Sequence, residues 1–400
     1  GIYSQTSECI DEYQYMVSGI MTIADGSSLI LEPGVIMKFV PGNTGIEIQG
    51  SLVAEGTVTD KIYFTSEKDT IGISTNSSPV PARGDWQHLY FNGADIGTSM
   101  NHCLIRYGGR YYSNYYNSIL IGDCQVNISN TIVEESHSGG GGPGAIHLTA
   151  SSSSVMNNVT VRNINHRGIH SAGVLTITDS EIYNCGEYGI LATGGGCSFT
   201  NLSIHNNNSI GIYSSGSGCD FNNLEIYNSG SDGLHITGSV STINNIDSYN
   251  NTGHGVYSTG ANNPMTDILS YGNGNIGVHS SGATSPMTGI LSYSNENTGV
   301  YSSGINSPLE DIDSHGNGGV GVYCAGNGST LLNVQSYDNQ DIGYDLNANL
   351  IHRIWETDVL DSNNVYPGVV GVAGGIYSQT SEWIDEYQYM VSGIMTIADG

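Results

Sequence analysis

Apolar and polar positions between residues 211 and 342 repeat with a period of 22 positions, without a change of phase. Each period starts with a glycine, continues with an aliphatic residue and a Tyr or His ring, and then carries two further aliphatic positions and a second ring. The starting glycines of the six periods are Gly211, Gly233, Gly255, Gly277, Gly299 and Gly321. Six consecutive periods in phase predict a solenoid, in which each period is one coil.

The residues that fill the period favour a β-solenoid. Gly, Asn, Ser and β-branched residues are unfavourable inside helices, and the L-x-x-L-x-L run of a leucine-rich repeat is missing. Stacked β-coils place equivalent residues about 4.8 Å apart, so like residues form ladders. Pro264, Pro286 and Pro308 share one column, which we expect at a corner because proline cannot donate to a ladder. The prediction is an all-β, right-handed parallel β-helix with aliphatic columns inside and Tyr/His columns outside.

The first and last segments of the sequence are nearly the same. Residues 1–26 return as residues 375–400, with Cys9 replaced by Trp383 and no other change. The repetition is interpreted as a tandem array of units, as a polymer in which one unit continues into its neighbour, or as an artificial duplication. The predicted organisation is a joining segment (1–26), longer and less regular coils (27–144), regular coils (145–353), an exit (354–374) and the repeated segment (375–400).

The charge balance excludes some partners. The chain has 37 acidic residues against 9 Lys and Arg, a formal net charge of −28, so nucleic acid is not expected to bind. No apolar stretch reaches the roughly 18 residues that a membrane span needs. The Gly, Ser, Asn and Tyr-rich composition predicts an extracellular, cell-surface protein.

Seven cysteines lead to local predictions. Cys197 and Cys219 lie one period apart, and the spacing of Cys103 and Cys124 is one position shorter. Stacked Cα atoms near 4.8 Å lie in the range that a disulfide tolerates, and a buried column of free thiols is the alternative. Cys9 is replaced by Trp383 in the second copy, and we expect both to lie where units join. Cys9, Cys185 and Cys324 are candidates for cross-links between units.

Catalytic chemistry is not evident from the sequence. Asp267 and Asp311 occupy one column two periods apart, but acid–base hydrolysis of glycans needs two carboxylates at a defined separation. The segment between Arg167 and Arg353 contains no Lys or Arg, so no cation there could neutralise an acidic sugar. We therefore expect solvated corner carboxylates rather than a catalytic pair, and no cofactor.

Histidine and acidic clusters are the candidate metal sites. His235 and His279 share a column with a Tyr between them, roughly 9.6 Å apart, too far to hold one zinc ion. An outward stacking ladder is expected, and Tyr columns could alternatively bind glycans. Glu310, Asp311 and Asp313 form the densest acidic cluster and are the weak calcium candidates.

Several segments resemble a known group of proteins. Residues 31–39 (LEPGVIMKF), 50–57 (GSLVAEGT) and 84–86 (GDW) look like the opening coils of right-handed parallel β-helix surface proteins of bacteria and archaea. The later G-[IV]-[YH] coils resemble the repeats of pectate-lyase-like and NosD-type proteins. The resemblance covers most of residues 20–350 and implies the fold, since that group includes lyases, hydrolases, adhesins and structural layers.

The leading functional prediction is a structural protein that assembles end to end with itself into a filament, sheath or surface layer, by analogy with archaeal sheaths. This prediction rests on the repeated terminal segment and on the regular ladders. The alternatives are a polysaccharide lyase or hydrolase of the pectate-lyase-like class, and an adhesin or glycan-binding stalk that contacts surface glycans.

Overall fold

The computed structural model describes residues 2–3, 5–11, 13–72, 80–110, 116–138 and 143–353, and short pieces beyond them (361–362, 364, 366, 369–373, 375–377, 388–391 and 395–397). The chain divides into two compact units, residues 1–213 (unit 1) and 214–400 (unit 2). This division falls inside the 145–353 segment that the sequence pattern treats as one run. The fold is the predicted all-β, right-handed parallel β-helix.

Unit 1 is built from short strands that pair in parallel with equivalent strands of the neighbouring coils. They are Ile2–Tyr3, Ser7–Cys9, Gln14–Val17, Ile20–Ile23, Ser28–Leu31, Ile36–Phe39, Gly45–Ile48, Ser51–Glu55, Ile62–Ser66, Leu89–Asn92, Ser99–Asn101, Cys103–Arg106, Ile119–Gly122, Gln125–Ser129, Ile132–Glu134, Ile146–Leu148, Ser153–Asn157, Thr160–Ile164, Ile169–Ser171, Val174–Cys185, Ile190–Ala192 and Ser198–His205. The strand Ile212–Ser214 lies where the units divide.

Unit 2 alternates long and short strands. They are Asp220–Tyr227, Leu234–Ile236, Thr242–Tyr249, Val256–Ser258, Met265–Tyr271, Val278–Ser280, Met287–Tyr293, Val300–Ser302, Leu309–His315, Val322–Cys324, Leu331–Tyr337 and Tyr344–Asn347. A 3₁₀ helix, Ala348–Arg353, follows, and then Asp361–Ser362, Val369–Ala373, Gly375–Tyr377, Gln388–Val391 and Met395–Ile397.

The aliphatic columns of unit 2 form its core. Met265, Ile268 and Val278 are at most 1 % exposed, and the equivalent residues of the next coil, one period further on, lie directly over them in register. Full burial of such a side chain contributes roughly 1.5–3 kcal/mol. The predicted inward columns are therefore confirmed. Pro286 and Pro308 lie just before long strands, where their carbonyls accept hydrogen bonds from Met265 and Met287, as a corner requires.

A column of buried amides closes one corner of each unit 2 coil. In Asn273, the side-chain Nδ2 donates to the Oδ1 of Asn295 (2.9 Å), to Ser270 Oγ (3.1 Å) and to the Ser248 carbonyl (3.0 Å). The backbone N–H of Asn273 also donates to Asn295 Oδ1 (3.1 Å). The same arrangement recurs along the unit, and we call it the Asn ladder. Its members are Asn251, Asn273, Asn295, Asn317 and Asn339.

Unit 1 coils differ in length, and this overturns one disulfide prediction. Asn101 lies opposite Ser129, 28 positions later, so the residue following Cys103 in the stack is Thr131, whose hydroxyl accepts from the Cys103 N–H (3.3 Å). The predicted pair of Cys103 with Cys124 is wrong because the intervening coil is longer than the spacing of these two cysteines. Both residues are free thiols.

The other cysteines are also free thiols. Cys197 in unit 1 and Cys219 in unit 2 are each at most 1 % exposed, which is the alternative that the sequence left open. Burial raises the pKa of the Cys185 and Cys324 thiols to about 12, and both are buried, which argues against these two as cross-links, although the cross-link itself stays a prediction. Cys9 is half-buried and remains a candidate. Trp383 lies outside the described residues.

Candidate functional site

Two columns of rings lie on the outer surface of unit 2, and they differ in how the rings face one another. The first column, at the end of the long strands, consists of Tyr227, Tyr249, Tyr271, Tyr293, His315 and Tyr337. Neighbouring rings are within 6° of parallel at centroid distances of 4.7–5.3 Å. We call it the parallel ladder. Each inner ring has both faces covered by its neighbours, so the ladder presents only ring edges and hydroxyls.

The second column lies on the short strands and is not flat. Its members are His235, Tyr257, His279, Tyr301 and Tyr323. The first three ring pairs are inclined by 45°, 59° and 39° at centroid distances of 4.5–4.6 Å, and only the last pair is parallel. We call it the tilted ladder. Inclined rings leave part of each face uncovered, and a sugar packs against such faces with its C–H groups.

An Asp–His pair lies at the beginning of the tilted ladder. Asp232 Oδ2 is 2.7 Å from His235 Nδ1, and the Asp232 and His235 side chains are 11 % and 20 % exposed. Because a carboxylate only accepts, the shared proton lies on Nδ1, which leaves Nε2 of a neutral His235 as an acceptor. The other Asp232 oxygen accepts from the His254 backbone N–H at 2.8 Å. Both carboxylate oxygens are therefore fixed in place.

Two more imidazoles complete the cluster. The His254 ring lies 5.0 Å from the Tyr257 ring and 5.6 Å from the His279 ring, edge-on to the latter. The Nδ1 atoms of His254 and His279 are buried and have no hydrogen-bond partner among the described residues. A buried polar atom without a partner costs roughly 1–3 kcal/mol. Both atoms are closed off from solvent, so the candidate site consists of the ring faces of the tilted ladder and the Asp232–His235 pair.

Burial and neighbouring charges set the protonation of the cluster. Burial alone would raise the pKa of Asp232, but hydrogen bonds from His235 and from the His254 amide bring the pKa below its usual range. Burial, with help from the nearby His254, lowers the pKa of His279 to about 4, and burial also lowers the pKa of His254. At neutral pH the cluster therefore holds one carboxylate and at least two neutral imidazoles.

Backbone geometry leaves room for the carboxylate. A Cβ on Gly253 would lie 2.3 Å from Asp232 Oδ1, so only glycine allows the Asp232 side chain to reach the His254 amide.

At the far end, the tilted ladder continues into Asp345. Burial and the neighbouring Asp341 carboxylate raise the pKa of Asp345.

The sequence contains a pattern that points to Asp232 and His254, but neither residue was among the predicted site residues. The residue before each starting glycine forms its own column, which is otherwise apolar or threonine. Its members are Ile210, Asp232, His254, Ile276, Thr298, Val320 and Ile342. Two adjacent ionisable residues interrupt that column beside His235 and Tyr257. The ring column itself was predicted, and its alternation of His235, Tyr257 and His279 is confirmed.

The remaining sequence candidates do not converge on this site. Asp267 and Asp311 lie at exposed positions with φ of 55° and 53°, where the short polar side chains of Asn and Asp, or Gly, are tolerated. Both residues lie within long strands, Met265–Tyr271 and Leu309–His315, and the expectation that they are solvated carboxylates rather than a catalytic pair stays a prediction. Asp313 is hydrogen-bonded to His315 (2.9 Å), and Glu310 is exposed. Among the described residues no three His, Cys, Asp or Glu side chains are arranged to hold a metal ion, so calcium at Glu310, Asp311 and Asp313 stays a prediction.

Unit 1 carries charged residues in one column of paired strands, formed by Arg106, Glu134 and Arg162. Arg106 Nε is 2.6 Å from Asp69 Oδ2, and Glu134 lies within 3.7 Å of Arg106 and 2.6 Å of Arg162. Arg162 also donates to the Tyr183 hydroxyl (3.1 Å). We call Arg106, Glu134 and Arg162 the charged ladder. Its cations are matched to carboxylates of the same unit, so this surface is not an open site for an acidic sugar.

Comparisons with known proteins support the fold. No protein-family model and no curated protein sequence matches the chain. Among solved structures, the A-module of a mannuronan C-5 epimerase from Azotobacter vinelandii matches with a TM-score of 0.51 and 14 % identity, over 76 % of this chain and 91 % of that one. A mutant periplasmic alginate epimerase matches with a TM-score of 0.51 and 13 % identity, over 88 % and 77 %.

A further similar structure is a tailspike, the receptor-binding protein of a bacteriophage, with a TM-score of 0.44 and 11 % identity over 90 % of this chain and 72 % of that one. The two epimerase matches, together with the observed coils, define the class of protein as a right-handed parallel β-helix. The resemblance to NosD-type repeats and the analogy with archaeal sheaths gain no support beyond that fold. None of the described helical segments is long and apolar enough to cross a membrane.

Proposed function

We propose that the protein is an extracellular β-helix protein that binds a glycan chain along the tilted ladder of unit 2. The observation that carries the proposal is the inclination of the His235, Tyr257 and His279 rings by 45° and 59°, beside the partly exposed Asp232–His235 pair. Ring faces receive sugar C–H groups, and the imidazole and phenol edges bond with sugar hydroxyls. The alginate and mannuronan epimerases that share the fold support a polysaccharide as the ligand class.

The ligand that fits this surface is a neutral glycan. The chain carries a formal net charge of −28, and residues 168–352 contain no Lys or Arg. The lowered pKa of His279, about 4, keeps this imidazole uncharged at neutral pH. An acidic polymer would be repelled at long range and would find no cation at the ladder.

Binding to a panel of neutral and acidic polysaccharides, measured by affinity electrophoresis, tests the proposal. Tyr257→Ala should weaken binding of the recognised neutral glycan by about tenfold, since about 1.4 kcal/mol corresponds to a factor of ten. Tyr271→Ala in the parallel ladder is the matched control and should leave binding unchanged, because the faces of that ring are covered. Equal losses in both variants, or binding of acidic polymers only, would contradict the proposal.

Proton transfer by the Asp232–His235 pair is a second candidate function. The fixed carboxylate orients His235 and leaves its Nε2 as the acceptor, which is the arrangement of a general base. Tyr257 lies 4.6 Å from the His235 ring, measured between centroids, and its hydroxyl is a proton donor. The pair has one carboxylate, whereas hydrolysis by two carboxylates needs a second. A reaction that begins with proton abstraction therefore fits better than hydrolysis, and it requires a sugar C–H next to a carbonyl, which an uncharged uronate ester supplies.

Product analysis distinguishes binding from catalysis. The glycan that binds is incubated with the protein, and both reducing ends and unsaturated sugars are followed. Asp232→Asn should abolish product formation while glycan affinity changes less than threefold, because Asp232 orients His235 but contributes no ring to the tilted ladder. If the unmodified protein forms no product from a glycan that it binds, the function is binding alone.

A further inference from the structure

The sequence contains four Asn-Gly dipeptides, and the structure holds their asparagines to different degrees. They are Asn92–Gly93, Asn273–Gly274, Asn317–Gly318 and Asn327–Gly328. The side-chain amide of such an asparagine is open to attack by the backbone nitrogen of the glycine, because glycine has no Cβ to hinder the approach. The attack requires a nitrogen that is free of other hydrogen bonds and an amide that is free to turn towards it. The fold therefore decides which of the four dipeptides reacts.

Hydrogen bonds fix three of the four dipeptides. In these three the glycine N–H donates to a backbone carbonyl of a neighbouring coil at 2.8 Å. The donors are Gly93, Gly274 and Gly318. The amides of Asn273 and Asn317 belong to the Asn ladder, where each Nδ2 donates to three acceptors. The Asn92 Nδ2 donates to Glu47 Oε1 (2.8 Å). Neither the attacking nitrogen nor the attacked amide moves without breaking these bonds.

Asn327 and Gly328 are held less firmly. Both residues are exposed. In the part of the chain that the structure describes, neither the Gly328 N–H nor the Asn327 Nδ2 has a hydrogen-bond partner. Equivalent N–H groups of earlier coils donate to the next coil, as that of Thr284 does to the Ile305 carbonyl (2.8 Å). One period after Gly328 the chain has entered the 3₁₀ helix Ala348–Arg353, so this regular pairing ends at Gly328.

A contact of the Asn327 side chain favours attack on its amide. Asn347 Nδ2 donates to Asn327 Oδ1 at 3.0 Å and to the Ala325 carbonyl at 3.1 Å. Negative charge develops on Oδ1 as a nucleophile adds to the amide carbon, and a donor fixed at that oxygen stabilises the charge. The backbone also requires glycine at position 328, where φ is 74° and a Cβ would lie 2.2 Å from Asn306 Oδ1.

We propose that Asn327 is a site of spontaneous modification, at which the folded protein converts this asparagine into aspartate and isoaspartate. The Gly328 nitrogen forms a bond to Asn327 Cγ and loses its proton, and the bond from Cγ to Nδ2 breaks. The Nδ2 group takes up a proton and leaves as ammonia, and a succinimide ring remains in the backbone. Water then opens the ring at either carbonyl. Each modified chain gains one carboxylate at this corner of unit 2.

Peptide mapping by mass spectrometry tests the proposal, after incubation of the 400-residue chain at mildly alkaline pH. In the folded protein, conversion at Asn327 should be at least about tenfold faster than at Asn92, Asn273 or Asn317. In the urea-unfolded chain the four sites should react at similar rates, because they share the same dipeptide. Conversion of another of the four at the rate of Asn327 in the folded protein would overturn the proposal, and so would a preference for Asn327 that persists in urea.

A variant checks that the reaction needs ring closure at this position. Asn327→Gln lengthens the side chain by one methylene, so the attack would have to close a larger and slower-forming ring. Conversion at position 327 should fall at least about tenfold, while the rates at Asn92, Asn273 and Asn317 and the far-ultraviolet circular dichroism stay unchanged. An unchanged rate at position 327 in the variant would mean that the amide is hydrolysed directly by water, and it would refute the role of the Gly328 nitrogen.

Discussion

Units 1 and 2 both carry a column of outward side chains that recurs from coil to coil, but the side chains differ in kind. In unit 1 the column holds Arg106, Glu134 and Arg162, with alternating charge and direct ion pairs. In unit 2 the equivalent column holds Tyr249, Tyr271 and their neighbours, stacked within 5° of parallel around Tyr271. All of the Lys and Arg residues except Arg353 precede residue 168. In unit 2, where Lys and Arg are almost absent, this column is built from aromatic rings instead of ion pairs.

The two units also differ in how regular their coil lengths are. In unit 2 the equivalent strands Leu234–Ile236 and Val256–Ser258 are offset by one period, and the same offset recurs in later coils. In unit 1 Leu89 pairs with Ile119 and Ile119 with Ile146, so successive offsets there are unequal and longer than the period of unit 2. A ladder of one side-chain type over many coils requires the same residue at a constant spacing, which the coils of unit 2 provide. The Asn ladder therefore belongs to the regular coils.

Breaking the Asn ladder should have the largest effect on stability. Asn295 is 2 % exposed, and its side chain bonds both with Asn273 before it and with Asn317 after it. Asn295→Ala leaves several buried polar groups without partners, each costing roughly 1–3 kcal/mol, so we expect a loss of about 4 kcal/mol. Urea unfolding followed by circular dichroism measures the loss.

Asn297→Ala is the control for this substitution. Asn297 is exposed, and its side chain bonds with Asn275 (3.2 Å) and with the Thr298 amide (2.9 Å). Water can replace these partners, so the expected loss is at most about 1 kcal/mol. Similar losses for the two variants would mean that the ladder does not stabilise unit 2.

A smaller effect should follow from removing the central carboxylate of the charged ladder. Glu134→Gln leaves Arg106 and Arg162 adjacent without the anion that separates them. Loss of one partner of a buried ion pair costs roughly 3–5 kcal/mol. The 35 % exposure of the Arg162 side chain reduces this cost, so we expect about 2 kcal/mol. Urea unfolding of the variant measures it.

The control for the charged ladder comes from unit 2. Glu225 is an exposed carboxylate that accepts a hydrogen bond from the Tyr249 hydroxyl (2.8 Å). Glu225→Gln should cost less than about 0.5 kcal/mol, because water and the new amide can both replace that contact. Equal costs for the Glu134 and Glu225 variants would contradict the division of chemistry between the units.

The fold could be predicted from the sequence because a constant period fixes which residues stack. Phe221, Ile243 and Met265 could be aligned by counting alone, and the structure places them in register. Counting residues does not identify the stacked positions in unit 1. Asn101 pairs with Ser129 across a coil that is longer than the period of unit 2, and no sequence motif marks that length. The Cys103–Cys124 prediction was wrong for that reason.

The candidate site could be predicted only in part. His235 and His279 stand out because they replace Tyr in a ring column. The decisive partners, Asp232 and His254, come from a neighbouring column, and their approach depends on Gly253 leaving space for the carboxylate. The tilt of the rings depends on packing between side chains, which a one-dimensional period does not specify.

The smallest predicted effect concerns Asp311, which the sequence analysis considered as half of a catalytic pair and expected to be a solvated carboxylate instead. Asp311 has φ of 53°, and Asn223, Asn245, Asp267, Gly289 and Asn333 of the same column also have positive φ. The column therefore selects residues that tolerate the left-handed conformation, which costs other residues roughly 1–2 kcal/mol. Asp311→Ala should reduce stability by about 1 kcal/mol and Asp311→Asn by less than about 0.5 kcal/mol, both measured by urea unfolding. Neither should change glycan binding, whereas loss of binding or of product formation in Asp311→Asn would move the site from the tilted ladder to this corner.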